Sequence, residues 1–361
     1  MKAIPNILLY NEGVENISIS VKKTVLVLAG VVLLGIGVAV FFYMNNSKTL
    51  SYTNPVGEIT NIGDPFVLKD GDSYYMYATS APSYGFKVWQ SANLVDWQES
   101  GTVYDISEQA EQWAYGDFWA PEVIKYRNQY YMTYSARNEE GHLQISVAAS
   151  KDPKGPFKDI STEIIKQEGS YIDGHIFIED DGTPYLYYVK DCSENIINNQ
   201  HVSQIFVQKM NSDLTEVIGE PQLLLTPDQE WEGLNQEYVW NEGPFVLKHD
   251  EKYFLMYSAN YFGSADYSVG YAVADNPVGP FVKADENPIL SKNLENGISG
   301  PGHNSVTVGP DGESLYAVYH THTFPDYPSG DRQMNIDRLS FENGKLKIDG
   351  PSYTERKIKI D

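Results

Sequence analysis

Three carboxylates stand at the openings of strand-like segments, where they could carry out acid–base chemistry. Asp64 precedes a proline, Asp173 precedes a glycine, and Glu242 precedes a Gly-Pro pair. Acids held close together do not keep their solution pKa values, because like charge and burial push those values apart. One protonated acid beside one ionised base is the arrangement that cleaves a glycosidic bond. The three acids are therefore candidate catalytic residues, provided that the fold brings them together.

Each carboxylate taken alone has a simpler interpretation, because Asp before Pro or Gly is commonly an Asx-turn residue. The functional interpretation depends on register, since the three acids fall at equivalent positions of a repeated sequence unit. The two other units carry Ala120 and His303 at the corresponding place. Glu122 follows Ala120 by two residues, and strand alternation predicts that its side chain points away from the shared centre.

The repeated unit is a short antiparallel meander. Five aromatic strand-like runs recur at intervals of 55 to 68 residues, beginning at Tyr74, Tyr130, Tyr185, Tyr253 and Leu315. Each follows an apolar run and a turn, often Asp-Gly, which is typical of short hairpin loops. One meander cannot bury both of its faces, whereas radial packing of five copies can. The sequence therefore predicts an all-β, five-bladed β-propeller, and a β-sandwich is the alternative that the regular period disfavours.

Composition narrows the class of ligand. The 361 residues include 49 acidic and 26 basic side chains, for a formal net charge of −23. Such a surface repels nucleic acid and anionic polymers and leaves neutral sugars as candidate ligands. The single cysteine, Cys192, excludes an internal disulfide framework and any multi-cysteine metal site.

An uncharged, predominantly apolar run occupies residues 24–44. At about 1.5 Å per residue, a helix of this length spans a hydrocarbon core of roughly 30 Å. Lys22 and Lys23 precede it, so the positive-inside rule assigns 1–23 to the cytoplasm. The prediction is a cytoplasmic segment 1–23, a transmembrane signal anchor 24–44, a linker 45–53 and an extracellular propeller 54–361. A cleaved signal peptide and a secreted protein are the alternative.

The chain from about residue 54 onward resembles glycoside hydrolase family 43, a family of five-bladed propellers acting on arabinose- and xylose-containing glycans. The motifs that carry the resemblance are the ordered set Gly63-Asp64-Pro65, Trp119-Ala120-Pro121-Glu122, Ile172-Asp173-Gly174, Glu242-Gly243-Pro244 and Gly302-His303. The resemblance implies that Asp64 is the general base and Glu242 the general acid. It implies that Asp173 orients the acid and raises its pKa, in a mechanism that inverts the anomeric configuration. Many relatives have proline where this chain has Gly174.

Further residues are candidates for substrate binding. Trp119 and Trp240 are expected at the funnel rim, because aromatic faces stack on sugar rings. The resemblance implies that Arg332 contacts sugar hydroxyls. It also places His303 near the channel axis, where relatives hold calcium through water, so a structural calcium is considered although no cofactor is required. Cys192 is expected to have no catalytic role.

The function that follows is an exo-acting glycosidase for α-L-arabinofuranosyl or β-D-xylosyl linkages. The alternatives are an endo-1,5-α-L-arabinanase and a propeller that binds carbohydrate without catalysis. A fructan-active propeller is disfavoured, because the Arg-Asp-Pro run usual there is absent. The loops 80–86, 104–118, 192–202 and 226–240 are long enough to form walls around the funnel. The sequence leaves the oligomeric state open.

Overall fold

The five repeated meanders fold into five four-stranded antiparallel sheets, each built from strands close in sequence. The computed structural model describes residues 48–360. Blade 1 contains β2 (Gly63–Asp70), β3 (Ser73–Thr79), β4 (Gly85–Ser91) and β5 (Gln98–Asp105). Blade 2 contains β6 (Ala114–Tyr126), β7 (Gln129–Asn138), β8 (Leu143–Ser150) and β9 (Lys158–Ser161).

The third blade is interrupted by an excursion of the chain. Blade 3 contains β10 (Tyr171–Ile178), β11 (Pro184–Lys190), β14 (Gln204–Met210) and β15 (Val217–Leu225). A separate three-stranded sheet contains β12 (Ile196–Ile197), β13 (Gln200–Val202) and β16 (Tyr238–Val239). In this small sheet β13 runs parallel to β16, which comes from the segment leading into blade 4.

The remaining two blades follow the same pattern as the first. Blade 4 contains β17 (Asn241–His249), β18 (Lys252–Ala259), β19 (Ser268–Ala274) and β20 (Val282–Lys283). Blade 5 contains β21 (Gly302–Val308), β22 (Leu315–His322), β23 (Arg332–Glu342) and β24 (Lys345–Ile348). Within the part of the chain that the structure describes, three short 3₁₀ turns lie in the connections, at Ile106–Glu108, Glu230–Glu232 and Leu294–Asn296.

Blade 5 packs against blade 1 and closes the ring. The Ser305 hydroxyl on β21 donates to the Pro65 carbonyl at 2.9 Å, and the Val67 amide donates to the same hydroxyl at 3.3 Å. Apolar side chains fill the space between neighbouring blades; for example, Tyr77, Phe118 and Tyr134 are fully buried in one cluster between blades 1 and 2. Because each sheet is covered on both faces by its neighbours, the five-bladed ring buries what one meander could not.

Residues 48–52 correct the predicted linker 45–53. They lie in β1 (Lys48–Tyr52), which pairs with β25 (Arg356–Ile360). The physical reason is packing, because Tyr52 is buried and its hydroxyl donates to the Ile336 carbonyl at 3.4 Å. Leu50–Ile360 form one compact unit.

The predicted cytoplasmic segment 1–23 and transmembrane helix 24–44 lie outside the described residues. Within residues 48–360, no helix has the length and hydropathy needed to cross a membrane.

Candidate active site

The first strands of the five blades share one unusual backbone feature near their N-terminal ends. A residue with positive φ stands in each first strand at a break in strand register: Asp64, Ala120, Asp173, Gly243 and His303. Such β-bulges re-aim a side chain locally. Aspartate tolerates the left-handed region better than most residues, which suits positions 64 and 173. The bulges therefore turn the side chains near the start of each blade's first strand toward one shared cavity.

Glu242 does not occupy the register that the sequence predicts for it. The left-handed position in blade 4 belongs to Gly243, with φ +57°, and Glu242 precedes it. Glu242 therefore corresponds to Trp119 in blade 2, not to Asp64 or Asp173. Glycine adopts this conformation without strain, and a Cβ at 243 would crowd the His303 ring, 3.1 Å from its Nδ1. Glu242 still lines the same cavity, one residue before the positive-φ position of its strand.

All seven residues proposed from the sequence line one cavity of about 390 Å³. This volume falls near the lower end of the range for small-molecule sites, roughly 300–1,000 Å³. Three of the four predicted wall loops contribute, through Pro82, Cys192, Ser193 and Trp240. The segment 104–118 contributes no lining residue, whereas Tyr261, Phe262 and Gly330 come from loops that the sequence did not single out. The seven residues are Asp64, Trp119, Asp173, Trp240, Glu242, His303 and Arg332.

Asp64 is held in its ionised form. Burial alone would raise its pKa, but the charges of Arg332, His303 and His320 together with a hydrogen bond hold that pKa well below its usual range. Arg332 Nη1 donates to Asp64 Oδ1 at 2.8 Å, and Thr79 Oγ1 donates to Asp64 Oδ2 at 2.6 Å. An ionised carboxylate with fixed orientation is suited to accept a proton.

Glu242 and Asp173 experience the opposite effect. Burial, followed by the charge of Asp173, raises the pKa of Glu242 well above its usual value. Burial is also the largest cause that raises the pKa of Asp173, to about 6. Asp173 Oδ2 accepts the Gly243 amide at 2.9 Å, which ties it to the residue beside Glu242. The two carboxyls are coupled, and burial together with the charge of Asp173 favours the protonated form of Glu242.

Asp173 lines the cavity with Gly174 as the next residue, the position at which the chain departs from the motif of the family that it resembles. A Cβ at Gly174 would approach Ile145 Cγ2 to 2.9 Å, so a small residue fits the crowded blade interface. His175 follows it and joins three blades, because its Nδ1 lies 2.6 Å from Glu122 Oε2 and its Nε2 accepts the Val246 amide at 3.1 Å. Glu122 thus faces a neighbouring blade and is not among the cavity-lining residues.

Sequence reasoning missed several residues that position the acids. Tyr267 is fully buried and donates its hydroxyl to Glu242 Oε1 at 2.8 Å. Its ring is parallel to that of His320, with centroids 5.5 Å apart, and His320 Nδ1 accepts the Asp64 amide at 3.2 Å. No sequence signal marks Tyr267 or His320, because their partners come from other strands. Asp191, a fourth acid lining the cavity, follows directly after an aromatic strand and could have been noticed there.

His303 lies beside Asp64, with His303 Nδ1 3.4 Å from Asp64 Oδ1. Across residues 48–360, no group of three or more His, Cys, Asp or Glu side chains is arranged to hold a metal ion. Calcium needs about six to eight oxygen ligands, so the described side chains do not fit direct calcium coordination here. Calcium held near His303 through water stays a prediction.

The arrangement can perform acid–base cleavage. One ionised and one protonated carboxyl face the same small, largely buried hollow, with an arginine beside the ionised group and tryptophans among the walls. These are the groups needed to deprotonate water and protonate a departing oxygen.

Comparisons with known proteins agree with this chemistry. The family model "Glycosyl hydrolases family 43" matches residues 52–346. A solved structure of a thermostable family-43 glycoside hydrolase is 61% identical with a TM-score of 0.83, covering 84% of this chain and 97% of that one. The β-D-galactofuranosidase xynD of Aspergillus niger is 29% identical, covering 78% of this chain and 81% of the relative.

A further curated relative is the extracellular exo-α-(1→5)-L-arabinofuranosidase of Streptomyces avermitilis. It is 27% identical, and the alignment covers 87% of this chain but 65% of the relative. The chain therefore spans about two thirds of that enzyme's length.

Proposed function

The chain belongs to glycosyl hydrolases family 43, which makes it a glycoside hydrolase, and we propose that it releases terminal α-L-arabinofuranosyl or β-D-xylosyl units from neutral glycans. The observation that carries the proposal is the pair of carboxyls in one cavity whose pKa values are driven in opposite directions, Asp64 downward and Glu242 upward.

The proposed mechanism assigns one task to each acid. Asp64 takes a proton from water, which attacks the anomeric carbon. Glu242 gives its proton to the departing oxygen. Asp173 keeps Glu242 protonated until that moment through its negative charge. We propose an inverting outcome, with the water between base and sugar.

The substrate class is supported by cavity size, charge and relatives. A hollow of about 390 Å³ is small for a ligand site, which favours removal of a terminal unit over cleavage within a chain. The net charge of −23 disfavours anionic polymers. The Streptomyces relative is named for exo action on arabinofuranosyl linkages, and the Aspergillus relative for a galactofuranoside. Endo-1,5-α-L-arabinanase activity is the alternative.

The decisive experiment compares substrates and variants. The enzyme is incubated with aryl α-L-arabinofuranoside, aryl β-D-xyloside, aryl β-D-galactofuranoside and linear arabinan, beside Asp64→Asn and Glu242→Gln. We expect release of monosaccharide and loss of at least about a hundredfold in kcat for either variant on unactivated glycosides. Proton NMR of the first product identifies the anomer formed. Binding without turnover of any sugar would favour the non-catalytic propeller, and equal activity in all three proteins would refute the assignments.

We also propose that the enzyme acts outside the cell, anchored by 24–44 or secreted after cleavage. The Streptomyces relative is named extracellular. Recovery of the enzyme from washed membranes, with the propeller open to added protease on intact cells, is the expected result for an anchor. Recovery from the medium with a shortened N-terminus would indicate cleavage.

A further inference from the structure

A row of aromatic rings leads out of the cavity beside Glu242. We call it the aromatic strip, and it consists of His201, Tyr238, Trp240, Tyr261 and Phe262. We propose that the aromatic strip binds the sugars on the leaving-group side of the scissile bond, so that the enzyme prefers oligosaccharides to short glycosides. The proposal rests on the proposed function.

The rings of the strip contact one another in sequence. The centroids of His201 and Tyr238 are 4.3 Å apart, those of Tyr238 and Trp240 are 6.1 Å apart, and those of Trp240 and Tyr261 are 5.5 Å apart. Phe262 continues the row at 4.8 Å from Tyr261. Trp240, Tyr261 and Phe262 line the cavity, whereas Tyr238 and His201 do not. The strip therefore begins inside the cavity and ends outside it.

The outer end of the strip is accessible to a ligand. Tyr238, outside the cavity lining, is 38% exposed, and Tyr261, at the cavity, is 45% exposed. Tyrosine and tryptophan combine an apolar ring with one polar group, so they can contact the C–H surface and the hydroxyls of a sugar together. The strip contains no carboxylate, lysine or arginine side chain, which suits a neutral glycan.

The rings are held before any ligand arrives. His201 and Tyr238 are register partners in the parallel pair β13–β16, and His201 Nδ1 lies 2.8 Å from the Cys192 carbonyl. Phe262 is fixed from two sides, by the Arg332 guanidinium 5.0 Å from its ring centroid and by His322 Nε2, which donates to its carbonyl at 2.8 Å. Binding to an ordered surface costs less conformational entropy than binding to a mobile one.

The direction of the strip identifies which part of the substrate it meets. Trp240 directly precedes β17 and stands two residues before Glu242, and both residues line the cavity. The general acid must face the oxygen of the leaving group, so that group departs beside Glu242. Sugars attached to the leaving oxygen then extend over Trp240 toward Tyr238. The small sheet of β12, β13 and β16, which lies outside the blade pattern, supplies the outer end.

The test compares two substrates of the sugar that the assay above identifies: the aryl monoglycoside, and either α-1,5-arabinotetraose or β-1,4-xylotetraose. The variants are Tyr238→Ala, Tyr238→Phe, which keeps the ring, and Tyr353→Ala as a control. Tyr353 is 49% exposed and lies outside the cavity lining. For Tyr238→Ala we expect an about tenfold loss of kcat/KM on the tetrasaccharide, mainly through KM, and unchanged aryl hydrolysis. Tyr238→Phe and Tyr353→Ala should retain both activities.

Two results would refute the proposed role of the aromatic strip. One is an unchanged kcat/KM of Tyr238→Ala on the tetrasaccharide, and the other is an equal loss of kcat/KM on both substrates. Absence of turnover by the wild-type enzyme counts against the proposed function alone. In that case calorimetric titration with arabinotetraose and xylotetraose makes the same comparison. A Kd that Tyr238→Ala weakens about tenfold for either sugar supports the strip, and equal or undetectable binding of both refutes it.

Discussion

Replacing Asp173 by Asn should move the basic limb of the pH–rate profile to lower pH. The Asp173 charge is, after burial, the largest cause that raises the pKa of Glu242. Asparagine removes this charge and tolerates the backbone at 173, where φ is +58°. Its side-chain oxygen can still accept the Gly243 amide. The substitution therefore changes the electrostatics of Glu242 while preserving the local fold.

The size of the shift follows from Coulomb's law. Asp173 Oδ2 lies 2.9 Å from the amide nitrogen of the residue after Glu242. Neighbouring charges shift pKa values strongly at separations up to about 6 Å, and this upper limit is used for the two carboxyls. With an effective dielectric constant of about 20, two unit charges at that distance repel by ~2.8 kcal/mol. This corresponds to a fall of ~2 units in the pKa of Glu242.

The assay is kcat/KM against pH, whose basic limb reports the pKa of the essential acid in the free enzyme. Asp191→Asn is the matched control, because Asp191 also raises the pKa of Glu242 but less than Asp173 does. We expect a downward shift for both variants, larger for Asp173→Asn, with unchanged circular dichroism. A basic limb that stays in place or moves upward in Asp173→Asn would refute the proposed coupling.

Three further predictions concern residues around the acids. Arg332→Met removes the strongest of the charges that lower the pKa of Asp64, so that pKa should rise by about two units; an unchanged carbon-13 titration of that carboxyl would contradict this. Tyr267→Phe removes a hydrogen bond that lowers the pKa of Glu242, so the basic limb should move upward, opposite to Asp173→Asn, and a downward shift would count against it. Glu232→Gln leaves the buried Lys283 ammonium, which lies 2.6 Å from Glu232, with only the exposed Asp228 carboxylate as an ion-pair partner. We expect the free energy of unfolding in urea titrations to fall by about 3 kcal/mol, the lower end of the cost of breaking a buried ion pair. A loss below about 1 kcal/mol would show that the ion pair adds little net stability.

The blades could be predicted because their signal is local and repeated. Alternating aromatic and β-branched runs with short turns recur in every blade, and the strands beginning near Tyr74, Tyr130 and Tyr253 lie where the pattern indicates. The sheet of β12, β13 and β16 could not be predicted in this way. Its strands have only two or three residues, too few to show a period, and β13 pairs with a segment more than thirty residues away.

The residues that form the site could be predicted from the sequence, but the backbone register that positions them could not. Asp64 and Asp173 stand out as acids at repeated turn positions. The register of Glu242 was misjudged by one residue, because the positive φ that distinguishes Gly243 from Glu242 is visible only in the folded backbone. The predicted linker was wrong at 48–52 for a similar reason, since β1 finds its partner at the other end of the chain.

The sequence by itself determined the all-β class, the fivefold repeat, the acidic surface and the identity of the three acids, because these properties are carried by residue types and their spacing. Only the tertiary structure decided the protonation of those acids. The charge of Arg332 reaches Asp64 from the last blade, whereas burial and Asp173 act on Glu242 from the blade before. The electrostatic energy of a carboxyl depends on distances through space, and ring closure sets those distances.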